Sequence, residues 1–148
     1  MKSKTFLSVL VAFVIAVVCA AGVPAADLPP LNCAPARAYY NFNRKIYYVT
    51  KIEDVLPMLP KGQIAFIKAQ PKLWQDNKAK WFRLLYLVKP TITNEVDSVA
   101  PGGFPIADLT GYAYKAFNNK WAKVNVFVRM QSEEDDWKFV SMRYEGEL

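Results

Sequence analysis

The sequence predicts a mainly β domain, with α+β as the variant: about six mostly antiparallel strands forming a sheet or a small sandwich or barrel, plus one short helix near residues 51–59. Three observations carry this. Between Trp121 and Met130 two kinds of residue alternate: Ala122, Val124, Val126, Val128 and Met130 are apolar, while Trp121, Lys123, Asn125, Phe127 and Arg129 mix rings, charge and an amide. That period of two belongs to a strand with one face turned to a core. Other short runs share the aromatic and β-branched content of strands. Turn signals at Asn118-Asn119 and Pro101-Gly102-Gly103 punctuate them.

The first element is a signal. MKSKTFLSVLVAFVIAVVCAAGVPAA sets Lys2 and Lys4 before an apolar run from Phe6 to Gly22, followed by small residues. This is the order of a secretory signal peptide over residues 1–25, with the mature chain beginning near Ala26 or Asp27. As an uncut anchor the run would span only about 26 Å, less than the ~30 Å of hydrocarbon. Cys19 lies inside the run, so a lipid anchor is not expected and cleavage leaves Cys33 as the one mature cysteine. A lone cysteine in an exported chain is a free thiol, an intermolecular bridge through Cys33, or a small buried hydrophobe.

About 122 residues remain, enough for one domain with a real core and no disulfides. Of the 148 residues 19 are basic and 13 acidic, a net +6; without Lys2 and Lys4 this becomes +4. Six of the acids fall between Ser132 and Leu148 against Lys138 and Arg143, leaving +8 on the rest of the mature chain. A basic body suits anionic partners such as headgroups, envelope polymers or acidic proteins. Ordinary solvated lysines explain the same numbers.

ADLPPLNCAPARA, residues 26–38, reads as an extended Pro-rich arm leading into a single β-rich domain over residues 39–148. Tyr39–Thr50 reads as a strand. Lys51–Leu59 reads as one or two helical turns, with Thr50 as N-cap, Glu53 completing a capping box and Pro57 limiting the length. Gln63–Gln70, bounded by Pro60 and Pro71, reads as a buried strand. Residues 71–80 read as a loop, Trp81–Val88 as a central strand apolar on both sides, and residues 91–105 as a long connection. Asp108–Phe117, Lys120–Met130 and Trp137–Glu145 follow as three consecutive strands. The closing DDWKFVSMRYEGEL resembles the last strands of cystatin-like and NTF2-like cone folds, a pattern common among tryptophan-containing strands. An NTF2-like domain needs more N-terminal helix than these elements supply, so no family is assigned.

A two-residue turn at Asn118-Asn119 pairs Phe117 with Lys120, Ala116 with Trp121, Tyr114 with Lys123 and Tyr112 with Asn125. For the second hairpin, apolar matching predicts Val128 opposite Lys138, Val126 opposite Val140, Val124 opposite Met142 and Ala122 opposite Tyr144. These registers gather Tyr112, Tyr114, Trp121, Phe127, Trp137 and Phe139 on one face, among Lys123, Asn125, Arg129 and Arg143. Arg129 would face Trp137, and Phe127 would face Phe139. Three explanations are open: a second core layer beneath the N-terminal strand and the short helix; a partly open surface for a partner or ligand, since rings beside cations and amides suit sugars, anionic polymers and protein hot spots; or a register other than this one.

Catalytic chemistry is thin. The chain has no histidine, which removes the commonest general base and neutral metal ligand. Cys33 has no mature partner, and phosphate-loop, GxGxxG and GxSxG motifs are absent. Glu133–Asp136 lacks the spaced ligands and glycine of a calcium loop and reads as a solvated hairpin turn. Glu95 and Asp108 cannot be paired from sequence. No catalytic residue, cofactor or metal is therefore predicted. The expectation is a periplasmic or secreted, non-enzymatic binding module for an acidic protein or envelope polymer. Nucleic acid is not expected as a partner, nor is stable membrane insertion after cleavage. The alternatives are an inhibitor or immunity-type protein that blocks an enzyme in the same compartment, and a small carboxylate-dependent hydrolase.

Overall fold

Helices come first in this chain and strands second. The computed structural model describes residues 29–117 and 119–146; the signal segment and its cleavage site, and Asn118, lie outside them. Three α-helices, α1 (Ala34–Ile46), α2 (Lys61–Lys68) and α3 (Lys72–Leu85), precede four strands. The strands are β1 (Thr91–Val99), β2 (Pro105–Phe117), β3 (Lys120–Glu133) and β4 (Asp136–Glu145). They form one antiparallel sheet in the order β1-β2-β3-β4. The β-rich class holds, but the sheet has four strands rather than about six, and it is a single open meander.

Several predicted elements change identity. Tyr39–Thr50 is not a strand: the arm ends at Cys33 and α1 begins at Ala34. Its buried residues Ala36, Tyr39, Phe42, Asn43 and Ile46 recur at helical spacing, so period outweighs aromatic composition. Gln63–Gln70 falls largely in α2 and the loop predicted at 71–80 falls in α3. Trp81–Val88, predicted as a central strand, is the end of α3 and its exit, with Phe82, Leu85 and Val88 buried three residues apart. The predicted connection 91–105 contains all of β1. Residues 51–59 form two 3-10 turns, Ile52–Asp54 and Leu56–Met58, instead of an α-helix. The capping acid is Asp54, not Glu53. Its Oδ2 accepts the backbone N–H groups of Thr50 (2.9 Å) and Lys51 (3.1 Å) and the Thr50 hydroxyl (3.1 Å), and the two N–H donors hold its carboxyl below the usual range.

One core lies between α1 and the sheet. Phe42 stacks on Phe139 with ring centroids 4.1 Å apart, and Phe82 meets Phe42 edge-on at 6.3 Å. Ala107, Leu109 and Ala113 of β2 and Val124, Val126, Val128 and Met130 of β3 complete it from the sheet. Polar groups at the seams are satisfied. Asn43 donates to the carbonyl of Leu85 (3.5 Å), which also accepts the Val88 N–H (3.1 Å), and to the carbonyl of Val88 (3.3 Å) just past the end of α3. The Tyr40 hydroxyl accepts the N–H of Ile92 at 2.9 Å, and the Ile92 carbonyl accepts the N–H of Leu31 at 2.7 Å. Gly111 is required where β1 crosses β2, because a Cβ there would lie 2.0 Å from the Thr91 carbonyl oxygen.

The β2–β3 register is the predicted one: Tyr112 faces Asn125, Tyr114 faces Lys123, Ala116 faces Trp121 and Phe117 faces Lys120. Asn119 has φ 60°, the left-handed geometry that favours asparagine in such a turn. The β3–β4 register differs. Val128 faces Met142 and Val126 faces Tyr144, then the pairing slips so that Met130 faces Phe139 and Ser132 faces Trp137. Val140 is the extra residue of this bulge, and its carbonyl accepts Nε2 of Gln63 at 2.8 Å. A second tie reaches the same hairpin: Glu133, buried, accepts the first N–H of α2 from Lys61 at 3.0 Å. Glu134 and Asp135, at φ 53° and 63°, make the turn between β3 and β4.

Candidate functional site

Helix α1 packs on one face of the sheet. On the other stand the side chains of β2, β3 and β4 that the strand period turns away from it. The odd residues of β3 and the even residues of β2 share this face, because directly opposed residues point the same way. Trp121 is 75% exposed and Tyr114 52%; Tyr112 and Phe127 are half-buried, and Lys123, Asn125, Arg129 and Arg143 are exposed.

Cations lie on the rings. Lys123 Nζ is 4.1 Å from the centre of the Tyr112 ring, and the Arg143 guanidinium is 4.7 Å from that of Phe127. Tyr112 and Tyr114 meet edge-on at 5.9 Å. Arg129 makes a two-pronged pair with Asp108, Nε to Oδ1 at 2.7 Å and the terminal nitrogen to Oδ2 at 2.8 Å. The guanidinium holds the Asp108 carboxyl below its ordinary range. A shallow groove of about 500 Å³ runs between Asp108, Thr110, Phe127, Arg129, Ser141 and Arg143.

Two of the ten residues predicted for this face are elsewhere. The bulge at Val140 flips the parity of the first half of β4, so Phe139 enters the core at 1% exposure and Trp137 packs, half-buried, at the core edge. Arg129 consequently faces Ser141 instead of Trp137, and Phe127 faces Arg143 instead of Phe139. The remaining eight, Tyr112, Tyr114, Trp121, Lys123, Asn125, Phe127, Arg129 and Arg143, stand together. Asp108 was missed although the signal was present: the Asn118-Asn119 turn that pairs Phe117 with Lys120 also pairs Asp108 with Arg129. Ser141 could not be found without the bulge.

Glu95 and Asp108, the two acids left unplaced by the sequence, do not converge. Glu95 is opposite Leu109 and Asp108 opposite Val96 on adjacent strands, so the sheet turns them to opposite faces. Cys33 precedes α1, half-buried, with its thiol pushed up by burial and by a hydrogen bond to Glu95, which disfavours the reactive thiolate. Among the described residues no three Cys, Asp or Glu side chains gather as a metal would require. No protein-family model, curated protein or solved structure matches this chain.

Proposed function

We propose that the protein is an exported, non-enzymatic binding module, and that it receives an acidic partner protein or an acidic envelope polymer on the open face of its sheet. One observation carries this reading: Tyr112, Tyr114, Trp121 and Phe127 share the face of the sheet turned away from α1, Trp121 and Tyr114 well exposed, with Lys123 and Arg143 seated on two of the rings. Rings of this kind hold contact area at low entropic cost, and cations held beside them add charge selectivity. Export follows from the basic, apolar and small-residue order of residues 1–25.

The test is capture from a native envelope extract with the processed protein as bait, alongside Trp121→Ala and Lys123→Glu. A specific partner lost with both variants, while their unfolding midpoints stay at that of the wild type, is the expected result. Capture that is indifferent to both substitutions would remove the sheet face from consideration.

A further inference from the structure

Helix α3 carries two apolar stripes. One, through Ala79, Phe82 and Leu85, is buried in the core. The other runs through Trp81 and Leu84 to Leu87 just past the helix end at three-residue steps, with Leu73 on the same side about three turns before Leu84, and points away from the core. Leu73 is 74%, Leu84 59% and Leu87 73% exposed. Beside the last turn stand Tyr47 and Tyr48 from the exit of α1, the former 4.6 Å from the ring of Tyr86. Large apolar side chains exposed together at the end of the helix, with Leu73 near its start, are not the scattered singles of an ordinary surface.

The polar groups around this stripe are nearly all of one sign. A hollow of about 350 Å³ is lined by Tyr47, Lys80, Arg83, Leu84, Tyr86 and Leu87. The adjoining one, about 570 Å³, brings in Arg44, Lys45 and Tyr48. Neither lining contains a carboxylate. The nearby acids Asp76 and Glu53 lie 3.1 Å and 3.9 Å from Lys72 Nζ, at the start of the helix and away from both hollows, and share that one cation. Lys89 Nζ lies 4.8 Å over the Tyr86 ring, and Lys78 Nζ 3.7 Å over Trp81.

We propose that this outward face of α3, with Tyr47 and Tyr48, docks on an anionic lipid bilayer, lying in the plane of the headgroups. A helix in that position places leucine and tryptophan at the acyl boundary, lets lysine and arginine reach up to phosphates, and keeps aromatic rings at headgroup level. The surface has each of these parts in that arrangement, and its charge complements anionic headgroups. A deformable acceptor can fill the two hollows beside the stripe. A second copy is the poorer occupant, because it would press Lys80, Arg83 and Lys45 against their own likes. Docking is peripheral: no helix among the described residues is long and apolar enough to cross a membrane.

The experiment is co-sedimentation of the protein, purified as the cells process it, with phosphatidylcholine vesicles and with vesicles of equal parts phosphatidylcholine and phosphatidylglycerol. K80E/R83E and L84S/L87S are compared with wild type, all four side chains being solvent-facing so that unchanged unfolding midpoints certify the fold. The expected result is at least about tenfold stronger binding to the anionic vesicles, weakened by salt. K80E/R83E should lose that preference, and L84S/L87S should bind less at every composition. Equal binding to both vesicle types, no binding, or variants that bind as wild type would overturn the proposal. So would a concentration-dependent dimer abolished by L84S/L87S in the absence of vesicles, which would assign the face to a second copy.

Discussion

The two faces of β3 are built from alternate residues of one segment, yet they obey different rules. Toward α1, Val124, Val126, Val128 and Met130 are at most 3% exposed and answer to volume and shape, since a close-packed interior registers every methylene. Away from α1, Trp121, Lys123, Asn125, Phe127 and Arg129 answer to pairing: a cation on a ring, a guanidinium on a carboxylate, an amide facing Tyr112. The inner face accounts for stability and leaves little freedom. The outer face, with Trp121 and Tyr114 exposed and Tyr112 and Phe127 half-buried, has less burial to lose.

Substitutions can break or sharpen this contrast. The largest effect is expected from Phe139→Ala, which empties the stack against Phe42 and should cost roughly 3–5 kcal/mol. A cost below about 0.5 kcal/mol in the denaturant midpoint would return Phe139 to the outer face and dissolve the bulge. Val126→Ala removes two buried methyl groups and should cost about 2 kcal/mol, at ~0.8 kcal/mol per buried carbon plus a small cavity. An unchanged midpoint for Val126→Ala would mean that the inner face is not packed as described.

Asp108→Asn tests the pairing rule. Arg129 depresses the folded-state pKa of Asp108, so this carboxylate adds stability above its unfolded pKa of about 3.9, and that stability is lost as pH falls through the lower folded value. The side chain is 38% exposed, so solvent screening keeps the contribution under about 1 kcal/mol. Wild type and Asp108→Asn should differ by that amount at neutral pH and converge in acid. A gap that widens below about pH 3 would contradict the assignment. Smallest of all, Trp121→Ala on the outer face should move the midpoint by no more than about 0.5 kcal/mol. A loss comparable to that of Val126→Ala would show that the outer face is covered in solution.

Much of the C-terminal half was legible because its information is local. Alternation in β3 and two asparagines at the turn are enough to set the register of β2 against β3, and with it the grouping of Tyr112, Tyr114, Trp121, Lys123, Asn125 and Phe127 on one side. The N-terminal half was misread for a reason visible in its residues. Tyr39–Thr50 and Trp81–Val88 are so rich in rings and branched chains that composition suggests strand, while the buried set, Tyr39, Phe42 and Ile46 or Phe82, Leu85 and Val88, keeps a helical step. The second apolar stripe of α3 hid that step, since a segment apolar on nearly all sides shows no clean period.

The sequence by itself determines the two-faced character of β3, the hairpin of β2 and β3 with its register, the basic surplus of the body, and the lack of histidine chemistry. Each of these follows from residue identity or from neighbours a few positions apart. Only the tertiary structure decided that the N-terminal half is helical with α1 packed on one face of the sheet, and that Phe139 turns inward. The physical reason is that these are long-range choices. The carbonyl of the bulged Val140 accepts Nε2 of Gln63 from α2, and Glu133 in the adjoining hairpin accepts the first N–H of that helix. These partners lie 77 and 72 residues away, and no local pattern in β4 records them.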